Sequence, residues 1–202
     1  MLPIKLVVTG DGAAEHLSML ITFFTGAFPG EYPSRLQDSF SANMVAPDGT
    51  DINLGMHDMV SDEEYDRLRP HFYPGTDVHV VCFSIMSPAS FANAETKWFP
   101  ELEQHSKGVP VVLVGTKLDL RSHAPTLALL KNKGLAPISS EQGAELAQKL
   151  GAAAYRECSA LTQEGLKGVF ETAVQAAQTY NNEQATRAAI IKANKRGKCL
   201  VM

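Results

Sequence analysis

Three short runs of β-branched and apolar residues, Ile4–Thr9, Val78–Ser84 and Pro110–Val114, constrain this chain more than any other feature. Each is apolar along its length rather than alternating, and each leads through a polar loop into a helical pattern. They therefore read as buried strands of a parallel sheet covered by helices. Between the first two, Phe40–Ala46 and Asp51–His57 flank Pro47, Asp48 and Gly49, a turn sequence that implies an antiparallel hairpin at one side of the sheet. A short run at Ala154–Cys158 brings the expected count to six strands in a mixed α/β sheet.

Helical patterns fall near Leu17–Thr25, Pro88–Glu103, Ser140–Leu150 and Gln163–Ala177. Ser87-Pro88 and the Ser139, Ser140, Glu141, Gln142 stretch supply N-terminal capping signals. Trp98 repeats at helical spacing with Phe91, Glu95 and Leu102, which reads as packing. One domain over residues 1–180 is expected, followed by a polar, basic tail over 181–202 that extends the last helix before fraying.

Composition excludes several classes. With 22 acidic against 18 basic residues the net charge is −4, so bulk positive charge does not recruit nucleic acid. The three cysteines, Cys82, Cys158 and Cys199, are widely spaced and form no CxxC, which argues against a disulfide framework or a zinc site and for a reducing, cytosolic compartment. Cys82 and Cys158 sit in apolar strand contexts and read as core thiols. No apolar run reaches the roughly 18 residues of a spanning helix, and the first residues, MLPIKLVVTG, carry no signal-peptide pattern.

The fragments GTKLDL (Gly115–Leu120), ECSAL (Glu157–Leu161), FPGEY (Phe28–Tyr32), EYDRLRP (Glu64–Pro70), a helical insertion around Arg121–Gly143 and a terminal CLVM occur in one order along the chain. Together they resemble a Rho/Rac-type small GTPase over essentially the whole length. The resemblance implies the P-loop GTPase fold, with the Rho-type inserted helix. Function does not follow from fold alone.

On the guanine side, the resemblance assigns Asp119 to the base N–H donors, Lys117, after Thr116, to the purine face, and the Ser159–Ala160 loop to the base carbonyl. An isolated TKLD reads as a turn after a strand; ECSAL at the matching separation favours the guanine-reading role. On the phosphate side, the P-loop pattern needs a second glycine, a lysine and a hydroxyl that binds Mg²⁺. This chain reads Gly10, Asp11, Gly12, Ala13, Ala14, Glu15, His16, Leu17, so Glu15 replaces the glycine, His16 the lysine and Leu17 the metal ligand. Arg35 stands where the family has the switch I threonine. Switch II runs Asp58, Met59, Val60, Ser61, Asp62 in place of Asp-Thr-Ala-Gly-Gln, keeping only the aspartate.

One carboxylate about 5 Å from a phosphate charge costs on the order of 3 kcal/mol at an effective dielectric near 20, and losing the lysine removes a similar attraction. The combined loss of about 3 to 6 kcal/mol is roughly 10² to 10⁴ in affinity. With an unperturbed pKa of about 6.5, His16 is expected mostly neutral at pH 7, its charged fraction raised by an adjacent Glu15 or a bound phosphate. A decaying gene produces similar losses, but the strands, caps and tail signal remain coherent here.

Tyr65, Arg67, Leu68, Arg69 and Pro70 match the part of switch II that meets exchange factors and the dissociation inhibitor in relatives; for Leu68 packing in an amphipathic helix is an equal reading. Lys192, Lys195, Arg196 and Lys198 precede Cys199-Leu200-Val201-Met202, a C-a-a-X pattern whose terminal methionine favours farnesyl; a chance cysteine in a solvated tail is the alternative. The expectation is a signalling pseudo-GTPase on the cytoplasmic face of a membrane, with a cytosolic pool. It has no assigned catalytic residue, no metal site and no required cofactor, and any GTP or GDP is held weakly without Mg²⁺. The alternative is a Rho-type GTPase that still binds GTP or GDP through its guanine loops, with slow or no hydrolysis.

Overall fold

The computed structural model describes residues 1–30 and 39–198, with side chains through Lys192. Arg35 and Cys199 lie outside the described residues. Strands β1 (Leu2–Gly10), β2 (Ser39–Val45), β3 (Asp51–Asp58), β4 (Val78–Ser84), β5 (Val111–Thr116) and β6 (Ala154–Glu157) form one sheet in the order β2-β3-β1-β4-β5-β6. β2 runs antiparallel to β3, with Ser39 opposite His57 and Val45 opposite Asp51, and the remaining pairs are parallel. The Asp48 carboxylate accepts the Thr50 N–H at 2.9 Å and Gly49 takes φ 85°, so the hairpin closes as its turn residues require. This is the expected P-loop GTPase fold.

The helices are α1 (His16–Thr25), α2 (Pro88–Asn93), α3 (Phe99–His105), α4 (Ala124–Asn132), α5 (Ser140–Leu150) and α6 (Leu166–Lys198). Ser87 caps α2 through the Ser90 N–H, and Ser139 and Gln142 form a reciprocal capping box on α5. A wide π turn at Ala94–Trp98 joins α2 to α3, where the sequence implies one unbroken helix. The segment between β5 and α5 contains α4, within the stretch read as an insertion. α6 continues past Asn181 to Lys198, and among the described residues no helix is long and apolar enough to cross a membrane.

Parallel strands bury both faces, which is why their sequences read as continuous apolar runs. Ile4, Leu6 and Val8 pack with α1 and α6, where Phe23 stacks on Phe170 with centroids 3.7 Å apart. Val7, Val81 and Phe83 pack on the other side with Trp98, Phe99 and Leu146. Cys82 and Cys158 are buried free thiols, and burial pushes both thiol pKa values up, that of Cys158 to about 12.

Residues after β3 correct one expectation. They form two 3₁₀ turns, Glu63–Tyr65 and Arg69–Phe72, rather than an amphipathic helix, and Leu68 stays 51% exposed. Arg69, expected at the surface, is only 2% exposed. Its guanidinium donates to the carbonyls of Val60 (2.8 Å) and Asp62 (3.3 Å), to Glu101 at 3.1 and 3.0 Å, and to Asp66. It also lies 4.8 Å from the centre of the Trp98 ring. Trp98 donates its indole N–H to Asp11 at 2.7 Å, and Asn93 donates to the same carboxylate at 2.7 Å. A fork with five donors can be buried only where acceptors converge, and the turns wrap around it to supply them.

Removing Arg69 leaves the Glu101 carboxylate with the Tyr73 hydroxyl but without its cation, whereas Leu68 is half exposed. Arg69→Ala is expected to lower unfolding free energy by about 3 kcal/mol, and Leu68→Ala to stay within about 0.5 kcal/mol of the native value. Urea titration of the two variants checks the contrast.

Candidate functional site

In sheets of this kind ligands lie beyond the carboxyl ends of the strands, at the strand from which the order runs both ways. That strand is β1, flanked by β3 and β4. Gly10 ends it against β4 so closely that a Cβ there would sit 2.3 Å from the Cys82 carbonyl oxygen, so only glycine fits. The chain then makes a 3₁₀ turn at Gly12–Ala14, and Glu15 takes a left-handed conformation at φ 49° before α1 begins at His16.

His16 points inward and is 6% exposed. Its Nδ1 lies 2.6 Å from Asp58 Oδ1 and its Nε2 lies 3.1 Å from the Gly10 carbonyl. Both partners accept only, so both ring nitrogens must carry protons. Burial opposes that charge, but the Asp58 carboxylate, its hydrogen bond and the Gly10 carbonyl outweigh it and raise the His16 pKa above its ordinary 6.5. The expectation of a mostly neutral His16 is thereby corrected. The physical reason is a partner 42 residues away in the chain, not Glu15 or a phosphate.

Glu15 turns the other way and accepts from Lys117 Nζ at 2.7 Å. Lys117 itself sits at φ 64°, opening the 3₁₀ turn Leu118–Ser122. The Thr116 hydroxyl binds the Ala14 and Phe83 carbonyls (2.8 and 3.1 Å), which ties the loop after β1 to β4 and β5 rather than facing a ligand. Ser159 is fully buried and donates to Asp119 Oδ1 at 2.6 Å while accepting the Thr162 N–H at 3.1 Å. The Asp119 carboxylate is thereby fixed in rotation.

A cavity of about 270 Å³ lies here, bounded by Ala14, Phe28, Lys117, Asp119, Ala160 and Leu161 among others. A second, of about 230 Å³, is bounded by Gly12, His16, Leu17, Asp58 and Ser61 among others. Asp62 is not in its lining; the residue is exposed and opens the first 3₁₀ turn after β3. The structure thus brings together Thr116, Lys117, Asp119, Ser159 and Ala160 on one side and Gly10, Gly12, Glu15, His16, Leu17, Asp58 and Ser61 on the other.

The second cavity does not fit a divalent cation. Mg²⁺ demands oxygen ligands in octahedral array. Leu17 offers no oxygen, Asp58 already holds an imidazolium, and no group of three His, Cys, Asp or Glu able to hold a metal occurs among the described residues.

Sequence reasoning missed three participants: Asp11, which holds Trp98 and Asn93, and the pair Arg121 and Glu157. Arg121 grips Glu157 with two bonds of 2.6 Å and also donates to the Ile138 carbonyl, bracing the turn that carries Asp119 against the end of β6. Arg121 immediately follows GTKLDL and Glu157 opens ECSAL, but nothing in their spacing pairs them.

A family model for the Ras family matches residues 5–179. The chain belongs to the Ras family of small GTPases.

Because the folded pKa of His16 is raised, its contribution to stability is complete below the unfolded value of about 6.5 and is lost as pH rises through the higher folded value. The buried His79, pushed down to about 3 by burial and then by Lys5, acts in the opposite sense and only below about 6.5. His16→Leu is therefore expected to cost about 3 kcal/mol near pH 6. The gap from the native protein should narrow at higher pH when urea midpoints of both are followed across that range.

Proposed function

We propose that this protein is a Rho-type pseudo-GTPase that signals through protein contacts from the cytoplasmic face of a membrane, with hydrolysis lost and guanine-nucleotide binding weak or absent. The single observation that carries this reading is the His16–Asp58 ion pair at 2.6 Å, which fills with the protein's own charges the place where a phosphate lysine and a metal ion would act. Leu17 and Arg35 stand where the resemblance puts the two Mg²⁺-binding hydroxyls, and neither side chain offers an oxygen; Asp62 stands in place of the water-orienting glutamine and lacks its amide.

The Rho assignment rests on the fragments quoted above and on α4 lying within the inserted stretch. The partner surface assigned to Tyr65, Arg67, Leu68 and Pro70 is supported by the exposure of Arg67 and Leu68, and by the Arg69 contacts that hold the segment. Standard effectors that demand a GTP-ordered loop are poor candidates. A second reading, retention of GTP or GDP through the base side, is favoured by the Ser159–Asp119 bond and the cavity beside it.

Protein purified from cells is expected to release no stoichiometric guanine nucleotide on denaturation and to hydrolyse GTP no faster than water does in single-turnover assays. Any binding of labelled GDP should be indifferent to EDTA. The combined change Glu15→Gly, His16→Lys and Leu17→Thr should raise GDP affinity by about 10² to 10⁴. Tight, EDTA-sensitive binding by the native protein would falsify the reading.

Membrane attachment is proposed through a farnesyl group on Cys199, aided by the basic residues that α6 carries up to Lys198. One lipid anchors only marginally, and each basic residue near an anionic leaflet adds about 1 kcal/mol, leaving an extractable cytosolic pool. Mass spectrometry of the C-terminal peptide should find the modified cysteine, and Cys199→Ser should shift the protein to the soluble fraction. An unmodified peptide ending in Met202, with equal membrane partition of the variant, overturns the anchor.

A further inference from the structure

A cavity of about 240 Å³ lies at the opposite end of the sheet from Asp58 and Asp119, where β5 begins at Val111 and β6 at Ala154. We propose that it binds a small organic cation, a primary ammonium carried on a compact apolar body, of the arylalkylamine class. This goes beyond the preceding reading and does not depend on it, since this cavity shares no lining residue with the two beside Asp119 and Asp58.

The walls supply the apolar half of the recognition. Phe99, Leu102, Val109, Pro110 and Leu150 line the cavity, and covering them removes apolar surface from water. The volume, about 240 Å³, falls below the roughly 300–1,000 Å³ of pockets for drug-sized ligands, so the body it covers is compact.

Three features give the polar half a negative sign. Glu103 lines the cavity with a carboxylate that forms no ion pair among the described residues. Leu102, Glu103 and Ser106 bring the C-terminal end of α3 to it, and Leu150 and Gly151 bring that of α5. A helix end of this kind carries a partial negative charge on its last carbonyls. The third feature is the Ser106 hydroxyl, which lies 2.7 Å from Nε2 of the fully buried His79. Burial, then Lys5, pushes the His79 pKa down to about 3, so the imidazole is neutral. In one tautomer Ser106 donates to Nε2 and keeps both lone pairs; in the other it accepts from the Nε2 proton and keeps one. Its oxygen is an open acceptor either way, and because His79 Nδ1 meets no partner, Ser106 is the polar contact that the imidazole retains.

No lysine, arginine or histidine lines the cavity. His105 and Lys107 adjoin it in the chain but are exposed and outside the lining. Arg156 belongs to a neighbouring cleft that also carries Glu183, and its guanidinium donates to the Thr172 hydroxyl at 2.9 Å and the Tyr155 carbonyl at 3.0 Å. An ammonium has three donors and no acceptor, which matches such a set of acceptors; an anion of the same shape meets like charge.

Titration of the full chain with 2-phenylethylammonium, 2-phenylethanol and phenylacetate, followed by amide chemical shifts, tests this. The ammonium should saturate with Kd of about 1 mM or tighter and shift the amides of Gly108, Gly151 and Ala153. It should bind about tenfold or more tightly than the neutral alcohol, and phenylacetate more weakly than either. Glu103→Gln alters an exposed residue and should fold. The change should weaken the ammonium by about fivefold or more while the alcohol changes less than about twofold. No saturable binding, shifts confined to the crevice around Asp119, equal affinity for the ammonium and the alcohol, or unchanged ammonium affinity in Glu103→Gln each overturns the inference.

Discussion

A charged imidazole can be buried only if every N–H finds an acceptor, and the crevice of this molecule is organised around meeting that condition. His16 reaches the Gly10 carbonyl on one side and the Asp58 carboxylate on the other, joining the ends of β1 and β3 at the start of α1. Removing either partner leaves an uncompensated charge in a dry place, which costs far more than the pair contributes over an apolar substitute. Such a pair is therefore weak evidence for stability but strong evidence about chemistry. The Asp58 carboxylate is committed to a side chain of its own chain.

A second chain of contacts carries the consequence outward. Asp11 accepts from Trp98 and Asn93, Trp98 lies under Arg69, and Arg69 holds the carbonyls of Val60 and Asp62. The loop after β1 and the turns after β3 are thus linked through α2, the π turn and α3. The π turn lies at this junction: its Trp98 carries the indole N–H to Asp11, and Asn93, which also reaches Asp11, immediately precedes it. These turns are held by Arg69, through the carbonyls of Val60 and Asp62.

The Asp119 side is built differently. Asp119 is aimed by Ser159, and its turn is braced by Arg121 on Glu157. Those bonds do not involve the loop after β1, so Glu15, His16 and Leu17 take no part in them. The two halves of the crevice are separable because different strand ends carry them: β5 and β6 carry Lys117, Asp119 and Ser159, and β1 and β3 carry Gly10, His16 and Asp58. Glu15 is where they meet, and its carboxylate accepts from Lys117 across the junction.

Much of this was legible in one dimension. The apolar runs declared both faces of β1, β4 and β5 buried, Ser87 and Ser139 announced two helix starts, and Pro47-Asp48-Gly49 announced the hairpin, because these signals act through neighbours in sequence. The fragments around Lys117, Asp119 and Ser159 and the departures at 15, 16 and 17 marked the residues that gather at the strand ends. Which of them pair was not legible. The protonation of His16, the inward turn of Arg69 and the Glu15–Lys117 contact depend on partners 42, 32 and 102 residues distant. A carboxylate, a guanidinium and an imidazole declare their charges in sequence, but which charges meet, and whether water lies between them, is fixed only when the sheet brings the strand ends together.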